Sequence, residues 1–325
     1  MLVPKFWAEA SAKHRQRGKQ VTVRRFGWSN DSADEAQRNA QQRADEALVR
    51  IVAGEKLLRR EPKVPYNGAE GVPIREEVIE RHGESVITRN IYGARCLNTP
   101  DVLFADIDFS TAPGLRFTLA VMLVLAVTAG LAGWWVRGGS LALLSGSMAL
   151  LFGFSLARML RAGYLRLTGG AEGQARRRVE RFMAAHPDWQ LRLYRSPAGF
   201  RALVLHRRFD PGEPAVNEFF RALGADPVYV QMCQRQQCFR ARVSPKPWRI
   251  GIAAHIRPRP GVWPVQPEHM PARERWIEDY ERRARDFASC RFVAAFGKGR
   301  VDRDADDVRA LHDEFCRSDY DLPLA

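Results

Sequence analysis

Apolar and polar positions alternate with different periods along this chain, and the pattern changes most sharply between Phe117 and Leu160. There, two unbroken apolar runs, 117–136 and 141–157, flank Arg137, Gly138, Gly139 and Ser140. Each run is close to the ~20 residues a helix needs to cross a ~30 Å hydrocarbon core. No charge interrupts either run before Arg158, so the pattern predicts a two-helix transmembrane hairpin over 116–161 rather than a buried soluble pair. Trp134 and Trp135 suit a headgroup zone, and the paired glycines suit a tight reversal. Ala126, Ala129, Gly130 and Gly133 on the first helix, with Ala149, Gly153 and Ala157 on the second, stand at four-residue spacing that lets two backbones approach.

Outside the hairpin the periods are those of a mixed α+β protein. Val21–Trp28, Ser85–Tyr92 and Asp101–Phe109 read as strands, and Ser32-Ala-Asp-Glu35 is a capping box opening a helix lined by Ala36, Ala40, Ala44 and Ala47. The stretch Val64–Pro73 reads as turns. Beyond the hairpin, Ala175–Ala185 reads as helix. Trp189–Arg195 and Phe200–His206 read as a β-hairpin about Ser196-Pro-Ala-Gly199, and Pro214–Leu223 as a short helix. Val228–Val230 reads as extended and Phe239–Val243 as a strand. The pattern of Trp276, Tyr280, Ala284 and Phe287, and then of Val308, Leu311 and Phe315, predicts two C-terminal helices. Four regions follow: an α/β half over 1–115, the hairpin over 116–161, a basic α/β half over 162–256, and a helical appendage over 257–325.

Charge sharpens this picture. The 325-residue chain carries a net +14, and residues 161–260 alone hold 19 Lys and Arg against 7 Asp and Glu. Such a basic stretch suits an anionic partner, either lipid headgroups or nucleic acid and nucleotides. Arg116, Arg158, Arg161, Arg166 and Arg176–Arg178 flank the apolar runs, whereas the reversal has only Arg137. The positive-inside rule therefore predicts an inner-membrane protein with two spans and both termini cytoplasmic, and no apolar segment resembling a signal peptide opens the chain. Five irregularly spaced cysteines fit a reducing compartment, and no C-x-x-C pair announces a zinc site. His206 and His312 read as packed or surface histidines.

Two sets of residues carry candidate chemistry. Alternation puts Asp106 and Asp108 on one face of a strand, roughly 6–7 Å apart at the backbone, a pairing of hard oxygens that suits Mg²⁺ or Mn²⁺. The same acids could instead end a strand and cap the following turn. Arg240 and Arg242 likewise share a face and suit phosphate, unless they are solvated strand arginines; Lys246 adds charge just beyond them.

The order of an Asp-Ile-Asp strand, a helix, a basic β-hairpin with a Ser-x-x-Gly turn, Asp226, and then Phe-Arg-Ala-Arg-Val-Ser-Pro-Lys-Pro resembles the catalytic core of the archaeo-eukaryotic primase and primase-polymerase superfamily. That resemblance implies an RRM-like sheet assembled from both flanks of the hairpin. It implies metal binding at Asp106 and Asp108, a third catalytic acid at Asp226, and triphosphate or template binding by Arg240, Arg242 and Lys246, with Arg201 counted among the substrate-binding residues. Arg201 stands where the family has a histidine, and the hairpin interrupts the core. Two functions are therefore expected as alternatives. One is a membrane-tethered, metal-dependent nucleotide- or nucleic-acid-binding protein, active or degenerate as a nucleotidyltransferase. The other is a non-catalytic membrane protein that docks on anionic lipid or a protein partner.

Overall fold

The computed structural model describes residues 3–16, 19–61, 72–258 and 263–325. Most of the predicted turn stretch Val64–Pro73 thus lies outside the described residues. The chain divides into two compact units. The first joins Met1–Asp106, His186–Arg221 and Ala225–Ala325; the second joins Ile107–Ala185 and Ala222–Gly224.

The first unit begins with a long antiparallel ribbon, β1 (Phe6–Gln16) and β2 (Lys19–Ser29), on which α1 (Ala33–Val52) lies. Ser32 caps α1, its Oγ accepting from the Glu35 amide at 3.1 Å, as the capping box predicts. The alanine stripe lets the helix approach closely: Ala36, Ala40 and Ala44 are fully buried, and Ala40 and Ala44 pack on Ala10 and Ala12. A Cβ added at Gly27 would lie 2.1 Å from the Ala40 nitrogen and 2.4 Å from the Ala36 oxygen. Glycine is required there by space, since both obstacles are backbone.

Two four-stranded sheets complete this unit. One has the order β3 (Glu77–His82), β4 (Ser85–Arg89), β5 (Arg95–Thr99), β9 (Phe239–Arg242), antiparallel throughout. The other has the order β10 (Arg291–Phe296), β7 (Leu191–Ser196), β8 (Gly199–Val204), β6 (Phe104–Asp108). Each sheet therefore combines strands from before and after residues 115–167. The Ser196–Gly199 turn joins β7 to β8 as the predicted hairpin, with Tyr194 opposite Arg201. Residues 257–325 are not a separate helical appendage, because β10 pairs with β7 at the sheet's edge between α7 (Met270–Ala284) and α8 (Arg303–Cys316). Residues 228–230 are helical rather than extended. After α5 (Pro214–Leu223), Asp226 caps α6 (Pro227–Gln236) and Pro227 fills its first turn, where a missing N–H costs nothing.

The second unit is built on α2 (Leu115–Arg137) and α3 (Gly139–Leu167), followed by α4 (Gly170–Ala185). Both long helices have the length and composition to cross a membrane, with mean hydropathies of 2.1 and 1.8. Their contact uses the small residues: Ala149 and Ala157 are buried, and the Ser145 hydroxyl donates to the Ala129 carbonyl at 2.8 Å. A Cβ on Gly153 would come within 2.9 Å of the Met122 Cα, so this crossing too depends on a missing side chain. The outer faces stay apolar and uncovered, among them Leu119, Leu123, Leu131, Leu143, Leu151 and Phe152.

Candidate functional site

The face of β6, β7 and β8 that carries Phe104, Asp106, Tyr194 and Arg201 gathers several buried ionisable side chains. Arg201, on the interior strand β8, is 2% exposed. Its guanidinium meets Asp106 with two bonds, Nε to Oδ1 at 2.7 Å and Nη2 to Oδ2 at 3.2 Å, while Nη1 donates to the Arg242 carbonyl at 2.8 Å. This fork satisfies the charge that the sheet buries. Burial alone would push the Asp106 carboxyl upward; the charge and hydrogen bonds of Arg201, aided by Arg242, outweigh it and hold the group below its ordinary range.

Helix α8 brings a second set onto the same face. His312 and Cys316 are one turn apart, and Cys290 arrives just ahead of β10; all three are fully buried. His312 Nε2 lies 3.4 Å from Cys316 Sγ and 3.8 Å from Cys290 Sγ, and its ring packs on Tyr194 and Phe104 with centroids 4.7 and 5.4 Å away. Its Nδ1 lies 3.0 Å from Asp313 Oδ1. Arg192 and Arg309 also reach Asp313, at 3.4 and 3.2 Å. Although burial raises the Asp313 carboxyl, His312 leads the interactions that lower it further, so it is ionised and can only accept. The proton on this side of the ring is therefore on Nδ1, and Nε2 is turned to the sulfurs. Burial alone would raise the Cys316 thiol, but hydrogen bonding from Cys290 and the His312 charge bring it well below its usual range.

The sequence-predicted residues fall in several environments. Asp106 is about a third exposed at its side chain and is held by Arg201. Asp108, at the end of β6, is exposed. Asp226 accepts from the Val228 and Tyr229 amides at 3.2 and 3.3 Å as the N-cap of α6, and its own N–H donates to the Asp106 carbonyl at 2.9 Å. A backbone hydrogen bond thus joins two of the three acids, but in this arrangement their carboxylates hold an arginine and a helix end.

Arg240 is buried at 3% exposure and paired with Glu76, itself 3% exposed, which also accepts from Thr88 Oγ1 at 2.7 Å. Asn98 Nδ2 extends this buried network to Thr88 Oγ1 at 2.9 Å. Burial disfavours the Arg240 charge, yet its bonds to Cys96 and Glu76 raise its affinity for a proton. Arg242 is half-buried on the same strand face, and Lys246 Nζ lies 5.4 Å above the Trp248 ring. The cluster that the sequence reading missed is Cys290, His312 and Cys316. Its local signal was His-x-x-x-Cys on one helical face; Cys290 could join it only through the fold.

Comparison of the chain with protein-family models, curated proteins and solved structures finds no match. The fold and the site define an α+β chain of mixed architecture that carries two helices of membrane-spanning length and composition.

Proposed function

We propose that this is an integral membrane protein anchored by the α2–α3 hairpin, with a non-catalytic role in docking on anionic lipid. The observation that carries the reading is the pairing of two long helices through small residues while their outer faces stay apolar and uncovered. Removing such surfaces from water at ~25 cal/mol per Å² favours a bilayer strongly, and few other environments satisfy both helices at once. Arg116, Arg158, Arg166, Arg176 and Arg177 are exposed within the same unit, at or just beyond the outer ends of the apolar runs, where each can contribute about 1 kcal/mol against anionic headgroups. The inner membrane, with both termini cytoplasmic, is the location this charge asymmetry favours.

The test has two arms. Alkaline carbonate should leave the protein in the membrane pellet, and its release would refute the anchor. Purified protein in nanodiscs should enrich anionic over zwitterionic phospholipid in its bound lipid shell. Replacing Arg158, Arg166 and Arg177 together by Gln should reduce that enrichment several-fold; an unchanged shell would refute lipid docking.

A second reading is favoured by one contact, the Asp226 N–H to Asp106 carbonyl bond, which brings two predicted acids together beside the basic strand β9. In this reading the protein is a primase-like, metal-dependent nucleotide or nucleic-acid binder using Mg²⁺ or Mn²⁺ at Asp106 and Asp108, with Arg242 and Lys246 on phosphate. Metal entry would require Asp106 to leave Arg201. Calorimetry with a nucleoside triphosphate, with and without Mn²⁺, decides it: equal heats for wild type and for Asp106→Asn with Asp108→Asn eliminate the reading.

A further inference from the structure

We propose that Cys290, His312 and Cys316 form a zinc site that ties α8 to the segment entering β10. A tetrahedral zinc ion with bonds of ~2.3 Å to sulfur and ~2.0–2.1 Å to nitrogen sets its N and S ligands about 3.6 Å apart. The two Nε2–Sγ distances, 3.4 and 3.8 Å, bracket that value, and all three ligand atoms lie within 4.8 Å of one another. The donors therefore already stand close to the spacing that a tetrahedral ion demands.

Three further features agree. Asp313 accepts from Nδ1 and so turns Nε2 toward the sulfurs, where loss of its proton on metal binding frees the lone pair, the carboxylate–histidine arrangement that orients metal-bound imidazoles. Two thiolates and one imidazole select zinc over the hard ions that carboxylates prefer. A dication with two thiolates is neutral overall, and Arg201 with Asp106 is a second neutral pair, so the dry interior holds no uncompensated charge. Arg201 Nη1 does lie 3.4 Å from Nε2, but its shorter bond to the Arg242 carbonyl and the fork to Asp106 hold the guanidinium without that contact. Cys96, Cys233 and Cys238 are equally buried, yet among the described residues no other group of three possible ligands is this compact.

The experiment uses the full chain, purified in detergent with a phosphine reductant and without chelator. Elemental analysis should give about one zinc per chain. Cys290→Ala, Cys316→Ala and His312→Gln should each lower zinc content at least tenfold, whereas Cys233→Ala should retain it. Asp313→Asn should weaken zinc affinity about 10–100-fold. Because ligand variants can misfold, cobalt(II) is also added to metal-stripped protein carrying Cys233→Ala and Cys238→Ala, with the three ligands intact. Thiolate-to-cobalt charge transfer and intense tetrahedral d–d bands support the site; their absence overturns it. Wild-type zinc content unchanged by Cys290→Ala with Cys316→Ala, or a Cys290–Cys316 disulfide in the protein as isolated from cells, also overturns it.

Discussion

Replacing Asp106 by Asn separates a structural role for this residue from a dispensable metal ligand. Arg201 is 2% exposed, and Asp106 supplies two of its three short hydrogen bonds. Asn keeps one acceptor oxygen but removes the compensating charge, leaving a buried guanidinium bound to neutral groups. Breaking a fully buried pair in this way costs about 3–5 kcal/mol. Asp106 is about a third exposed, so solvent screens part of the loss and about 2–3 kcal/mol is the expected figure. For a unit of this size, that lowers the melting temperature by roughly 4–12 °C. Arg201→Met alone should be costly as well, because it strands the acid, but the double variant should recover part of the loss. Denaturant melts followed by tryptophan fluorescence measure all three. The pH dependence has a fixed sign: the folded Asp106 carboxyl titrates below its unfolded value, so the pair's stabilisation is present above about pH 4 and is lost as pH falls through the folded value. An Asp106→Asn variant within about 0.5 kcal/mol of wild type, at neutral pH, would refute the argument.

Two other perturbations test separate parts of the fold. Gly27→Ala puts a methyl group into the backbone of α1, so the helix must lift from the β1–β2 ribbon at a cost of about 3 kcal/mol; hydrogen exchange in α1 should accelerate, and unchanged protection would contradict the close approach. His206 packs against Trp189 and Phe209, and burial, with Arg207 nearby, pushes its pKa down to about 4. The unfolded chain then binds the proton first, so stability should fall by about 1–2 kcal/mol between pH 6.5 and 4 after allowance for partial exposure, and His206→Gln should flatten that slope.

What could be read from the sequence was local. The cap at Ser32, the alanine stripe of α1, the apolar runs and the Ser196–Gly199 turn each declare themselves within a few residues, and the structure has all of them. Helix α8 shows why the site was harder. Its apolar positions Val308, Leu311 and Phe315 are only half-buried, while its buried face is Ala305, His312, Asp313 and Cys316. A hydrophobic pattern marks the wrong side of a helix when the interior it meets is polar. Arg240 was misleading for a related reason. Alternation correctly placed it on one face with Arg242, but Glu76, 164 residues earlier, is what covers it. β10 was missed because its residues alternate only between exposed and half-buried, and α6 because its capping aspartate and first proline also suit a turn.

The sheet that holds Asp106 also restricts how the chain can cross a bilayer. β6 ends at Asp108 and β8 begins at Gly199, with both apolar helices between them, yet the Val204 N–H donates to the Leu103 carbonyl at 3.0 Å within one sheet. β9 repeats the constraint, since Leu97 pairs with Ala241 across the same interval. Strands that share hydrogen bonds cannot lie on opposite sides of a membrane, so the interval must contain an even number of crossings. With α2 and α3 as the spans, the reversal at Gly138 is on one side and both flanks are on the other. On the proposed reading, the charge asymmetry favours the cytoplasm for the flanks. A phosphatase fused at Gly138 should be active in the periplasm and one fused after Ala325 inactive, with the opposite pattern for a cytoplasmic reporter. Two active phosphatase fusions would mean a single crossing, which these two sheets could not survive; two inactive ones would mean that the helices do not span at all.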